Sequence, residues 1–182
     1  MSDVLPWVHG HYAGIGSRET PPQVLEQMRK IGTFLAERHY VLRSGGAKGA
    51  DTAFELGCDN ARGMKQIWKP SDNLFPLYEW ATDKASEVCW EFPLEKMKAY
   101  TISLITRNMY QVYGDSETFE KTIPVDFVVY WSKGNPLDKG HDSGGTRYAV
   151  REAHNVGIPT YNLRTQKEEF AEVLRALKGK KK

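Results

Sequence analysis

Cysteine is scarce in this chain of 182 residues: Cys58 and Cys89 are the only two, and no CxxC pair joins them. That argues against a disulfide framework or a cysteine-based zinc site, and for a reducing compartment. The five histidines also lack ligand spacing, so neither a metal nor a resident cofactor is expected. Long hydrophobic runs are missing too. None approaches the roughly 18 apolar residues of a transmembrane helix, and MSDVLPWVHG at the N-terminus has no basic region followed by an apolar core. The expectation is a cytoplasmic protein with no membrane partner. Charge of one sign is not in excess: 25 lysines and arginines face 23 acids, a net charge of +2, so no global field advertises nucleic acid. The clearest basic cluster, Gly179 to Lys182, reads as a solvated end. Internal repeats and low-complexity linkers are absent, and a chain of this size with 40% hydrophobic residues defaults to one domain around one core.

What is present is an alternation of short apolar runs with amphipathic segments. HYAGIG (His11 to Gly16) reads as a first strand, and Val24, Leu25, Met28, Ile31, Phe34 and Leu35 then recur at helical spacing behind two prolines. YVLRS is a second strand, followed by a helix packing through Ala50, Ala53, Phe54, Leu56 and Gly57, and KQIWKP a third strand. The middle of the chain reads as a loop and two helices divided near Pro93, the second placing Met97, Thr101, Leu104, Ile105, Met109 and Val112 on one face. DFVVYW is nearly unbroken in its apolarity, as a strand covered on both faces requires. A polar loop, the helix TRYAVREAHNVG, the strand IPTYNL and a closing amphipathic helix complete the pattern. Strands alternating with helices of ten or more residues predict an α/β fold, a Rossmann-like open parallel sheet of about five strands with helices on both faces. Ligands of such sheets bind beyond the carboxyl ends of the strands, where strand order reverses.

Three predicted turns could face one ligand there. In GIGSRETP, Gly14 and Gly16 allow close approach, Ser17 offers a hydroxyl, Arg18 a fork-shaped cation, and Thr20 a cap for the helix starting at Pro21. In LRSGGAKGAD, Ser44, Gly45, Gly46 and Gly49 read as a backbone cradle, Lys48 as an offset for phosphate charge, and Asp51 as a helix cap or an acceptor for a ribose hydroxyl. It is not a P-loop, because no Ser or Thr follows the lysine. In DSGGTRYAVREA, Ser143, Gly144 and Gly145 precede Thr146 and Arg147 at the start of another helix. The aromatic candidates for stacking are Tyr12, Trp131 and Tyr148, and self-association is expected from the apolar surface of the long middle helices.

The stretches YAGIGSR, RSGGAKGAD and DSGGTRYAVREAHNVGIPTYNL, in this order, resemble the SLOG superfamily, the Rossmann-like group that includes DNA-processing protein A and the Lonely Guy nucleotide hydrolases. The resemblance spans roughly Tyr12 to Leu163 and is nearest to small stand-alone members found in phages and bacteria. TRNMYQVYG is similar to a segment of those members and brings Arg107 and Asn108 toward the site. The resemblance implies a nucleotide-like ligand at the carboxyl edge of the sheet and three alternative uses. One is binding a small nucleotide-derived ligand, such as a nucleotide or an ADP-ribose-like signal, as sensor or sequestering protein. A second is cleavage of an N-glycosidic bond, which needs a carboxylate beside the ribose; Asp51, Glu55, Asp142 and Glu152 are the candidates. The hydrolases carry their catalytic glutamate three residues after the threonine of the third turn, whereas Ala149 stands there in this chain, with Glu152 one helical turn beyond. A third is single-stranded DNA binding, which the small net charge and the lack of a winged-helix extension disfavour.

Overall fold

The computed structural model describes residues 8–69, 76–139 and 144–179. Five strands, β1 (Gly10–Gly16), β2 (Tyr40–Ser44), β3 (Lys65–Ile67), β4 (Phe127–Trp131) and β5 (Thr160–Asn162), form one all-parallel sheet in the order β3-β2-β1-β4-β5. The helices are α1 (Pro22–Ala36), α2 (Ala50–Asn60), α3 (Glu79–Glu87), α4 (Ala99–Tyr113), α5 (Thr146–Asn155) and α6 (Lys167–Lys178). This is the α/β Rossmann-like sheet expected. Strand order reverses between β1 and β4, where Gly16 lies opposite Trp131.

The sheet is apolar on both faces because its central strands alternate two sets of core residues. Tyr12 of β1 with Phe127, Val129 and Trp131 of β4 joins the core under α1, α2 and α6. Ala13, Ile15, Val128 and Tyr130 point the other way, toward α4 and α5. On the first face α1 and α2 meet backbone to backbone. A Cβ on Gly57 would fall 2.0 Å from the carbonyl oxygen of Arg29, and one on Gly32 would fall 2.6 Å from that of Phe54. Thr33 Oγ1 closes the seam by donating to the Gly57 carbonyl at 2.9 Å.

Several expectations shift in detail. The buried face of α2 is Ala50, Ala53, Phe54, Gly57 and Cys58, while Leu56 is exposed. Spacings of three and four carry that face, and Leu56 lies off the stripe. Met97 precedes α4 rather than belonging to it. From Ile105 to Tyr113 every residue of α4 is buried, because α3, α5 and the sheet surround it. The apolar residues of the middle helices pack on one another and on Trp68 and Tyr148. Among the described residues no helix is long and apolar enough to cross a membrane.

Candidate functional site

Beyond the carboxyl ends of β1 and β4 the three turns enclose a cavity of about 450 Å³, walled on its far side by α4. Gly16, Ser17 and Arg18 line it from the first turn, Ala47 and Asp51 from the second, and Gly144 to Tyr148 from the third. The turns reach one another because glycines stand where they touch. A Cβ on Gly16 would fall 2.6 Å from the Ala50 side chain, and one on Gly49, whose φ is +97°, would fall 3.1 Å from Arg18 Cα.

The first turn is braced internally. Glu19 N donates to Ser17 Oγ at 3.1 Å and Thr20 Oγ1 donates to the Ser17 carbonyl at 2.6 Å. Thr20 therefore caps the turn and not the helix, whose N-cap is Pro21 and whose first residue is Pro22. Arg18 is exposed at the cavity rim.

The second turn is organised by Asp51, which lies inside α2 and reaches backward. Its Oδ2 accepts from Gly45 N at 3.1 Å and from Ala47 N at 3.2 Å, while the N-cap position itself is Gly49. Burial pushes the Asp51 carboxyl up to about 6, against the lowering influence of Arg107 and the two backbone donors. Ser44 is buried and donates its hydroxyl to the Gly14 carbonyl at 2.8 Å, and Gly14 packs against Phe54 and Leu42, so both support the floor without lining it. Gly46 faces the Lys69 side chain, and Lys48 is exposed outside the cavity lining.

The third turn is the most open. A Cβ on Gly144 or Gly145 would meet none of the described residues within 4 Å. Gly145 is the N-cap of α5, no side chain of the described residues caps that helix, and its positive dipole end lies at the cavity with Thr146 and Arg147. Arg147 lies over the Tyr148 ring, 4.8 Å from its centroid, and donates to the Tyr148 hydroxyl at 2.8 Å. Ser143 and Asp142 lie outside the described residues.

The fourth wall comes from α4. Arg107 Nη1 donates to the carbonyls of Gly45 and, at 3.1 Å, of Trp68; Asn108 Nδ2 donates to the Gly145 carbonyl at 3.1 Å. One helix thus holds the second and third turns in register. Desolvation lowers the Arg107 pKa, and the neighbouring Asp51 carboxylate opposes that shift. Gln111, three residues beyond Asn108 on the same stripe, also lines the cavity. It is missing from the motif-based expectation, though helical spacing from Asn108 pointed to it.

Other sequence candidates lie elsewhere. Tyr12 is stacked on Phe127 in the core at 5.9 Å and Trp131 is buried beneath α1 and α2, which leaves Tyr148 as the ring in the wall. Glu152 is fully buried, accepting from the Tyr113 hydroxyl at 2.5 Å with Lys84 Nζ 3.6 Å away, and Glu55 lies 3.7 Å from Lys65. Of the four carboxylate candidates, Asp51 stands in the cavity among the described residues. A larger hollow of about 620 Å³ lies toward the amino ends of β1, β2 and β3, around His11, Arg43 and Gln66. There Arg43 is committed to Gln66 Oε1 at 2.7 Å and to carbonyls at the end of α4 and before β4. No group of His, Cys, Asp and Glu suited to a metal ion occurs among the described residues. Comparison with protein-family models, with curated proteins and with solved structures found no match to this chain.

Proposed function

We propose that this chain binds a nucleotide-derived, phosphorylated ligand in the cavity at the carboxyl edge of the sheet, as a sensor or sequestering protein of the SLOG type. One observation carries the reading. The N-terminus of α5, opened by Gly144 and Gly145 and capped by no side chain of the described residues, lies at a cavity at the strand-order reversal whose rim also carries Arg18 and Arg147. The positive end of a helix, with guanidinium groups alongside, suits a phosphate, and apolar walls from Ile15, Leu104 and Tyr148 suit a base. The glycines of LRSGGAKGAD serve this arrangement indirectly. Gly45 gives its amide to Asp51 and its carbonyl to Arg107, so the second turn is a scaffold for the wall.

A second reading, cleavage of the ligand's N-glycosidic bond, is favoured by the Asp51 carboxyl, which lines the cavity with burial raising it to about 6. Product analysis after long incubation separates the two readings: free base appears only if the bond is cut.

Thermal unfolding against nucleoside mono-, di- and triphosphates, ADP-ribose and a short oligothymidine tests the binding reading. A ligand at a hundred times its Kd adds about 2.7 kcal/mol, on the order of 5 to 10 °C in Tm for a chain of this size. A shift with a small nucleotide, lost in Arg147→Ala, is expected. A shift with the oligonucleotide alone, fading as salt rises, would overturn it in favour of DNA binding.

A further inference from the structure

We propose that Gln111 reads the base of that ligand: its side-chain amide hydrogen-bonds a nucleobase bearing an exocyclic amine beside a ring nitrogen, and so selects amino bases over their oxo counterparts. The inference rests on the nucleotide reading of the same cavity. Gln111 is 1% exposed yet forms part of the cavity wall. Its Oε1 is buried without a hydrogen-bond partner, and neither end of the amide bonds to any of the described residues. On the same wall Arg107 Nη1 and Asn108 Nδ2 donate to backbone carbonyls, while Arg107 Nε, a donor, is buried without a partner among the described residues. Buried polar groups are nearly always paired, so an amide left open at the wall of a cavity is completed by a ligand that presents a donor and an acceptor side by side. A glutamine amide meets adenine's amine and ring nitrogen in this way when proteins read DNA.

The choice of amine over oxo group follows from what surrounds the amide. The nitrogen end of the amide faces the second turn, where a Cβ on Gly45 would fall 2.6 Å from Gln111 Nε2 and 2.2 Å from Arg107 Nη1, and Oε1 is the end left without a partner. An incoming amine can donate to the unpaired Gln111 Oε1, whereas an oxo group would face that oxygen lone pair to lone pair. Ile15, Ala47, Leu104 and Ile105 supply the apolar walls that a planar base needs.

The test uses matched pairs that differ in the amine: AMP with IMP and CMP with UMP, each also as the triphosphate, titrated by calorimetry into the full chain. The amino member of a pair is expected to bind about tenfold tighter or more. Gln111→Met, close in size, should remove that preference by weakening the amino member while leaving the oxo member unchanged. If Gln111→Met fails to fold, the wild-type protein still decides: the Gln111 side-chain NH₂ resonances should shift with the amino member and stay in place with the oxo member. Equal affinities within both pairs, or a preference that persists in Gln111→Met, would overturn the role of Gln111 while nucleotide binding itself stands. Absence of binding by every nucleotide would overturn both readings together.

Discussion

Asp51 lies in the first turn of α2, yet its carboxylate is bonded to the amide of Gly45, six residues earlier, at 3.1 Å. One side chain thus holds shut the loop whose far side Arg107 grips through the Gly45 carbonyl. Asp51→Ala leaves the amides of Gly45 and Ala47 without that acceptor and should cost about 1 to 3 kcal/mol. Asp51→Asn keeps an acceptor oxygen and should cost less. Urea unfolding of the two variants reads the difference.

The same carboxyl makes stability depend on pH with a sign opposite to that of an ordinary ion-paired aspartate. Burial raises it from 3.8 to about 6, so between those values the folded state holds a proton that the unfolded chain has released, and stability falls as pH rises. His11 opposes this. Burial and Arg43 lower its pKa from 6.5 to about 4, so its contribution is present above 6.5 and lost as pH falls. The wild-type profile therefore sums two opposed slopes in one window. The difference curve between wild type and Asp51→Asn should decline from pH 4 to 6, and that between wild type and His11→Asn should rise from pH 4 to 6.5.

Two cations named from one motif-based argument should behave differently. Arg147 lines the cavity and Lys48 is exposed outside it. Arg147→Ala is expected to weaken binding of a phosphorylated ligand by about tenfold or more, in keeping with a charge-assisted hydrogen bond of roughly 1.5 to 3 kcal/mol, while Lys48→Ala changes it by less than about threefold. Titration of both variants with the nucleotide that stabilises the wild type provides the comparison.

Gly57 and Gly145 should separate packing from ligand approach. A methyl on Gly57 meets the Arg29 carbonyl at 2.0 Å, backbone against backbone, so Gly57→Ala must part α1 from α2 and should cost about 1 to 3 kcal/mol. A methyl on Gly145 meets none of the described residues, and its backbone is already helical, so Gly145→Ala should leave Tm nearly unchanged while weakening the ligand that its bare backbone admits. A large loss of stability in Gly145→Ala would show that this glycine is structural.

The alternation in β1 and β4 was legible without coordinates. Alternate residues of a strand serve opposite faces, so nearly unbroken apolar runs such as FVVYW imply cover on both sides and hence parallel crossovers. The three strand-end turns were legible as well, because only glycine allows the close approaches that Gly16 and Gly49 make. The division of labour within the turns was not. Ser44, Gly45 and Lys48 read alike with Gly144 and Arg147 as ligand groups, but in the fold Ser44 and Gly45 bond to protein groups and Lys48 turns outward.

Local spacing by itself determined the α/β order, the period of each element and the positions where backbone must come close, since these depend on neighbours a few residues apart. Tertiary structure alone decided that α4 lies across the turns, that Asp51 and Arg107 grip Gly45 from opposite sides, and that Glu152 pairs with Tyr113 away from the cavity. Arg107 and Gly45 are 62 residues apart in sequence, and Glu152 and Tyr113 are 39. A hydrogen bond between groups far apart in the chain depends on which helix covers which strand, and no local period records that choice.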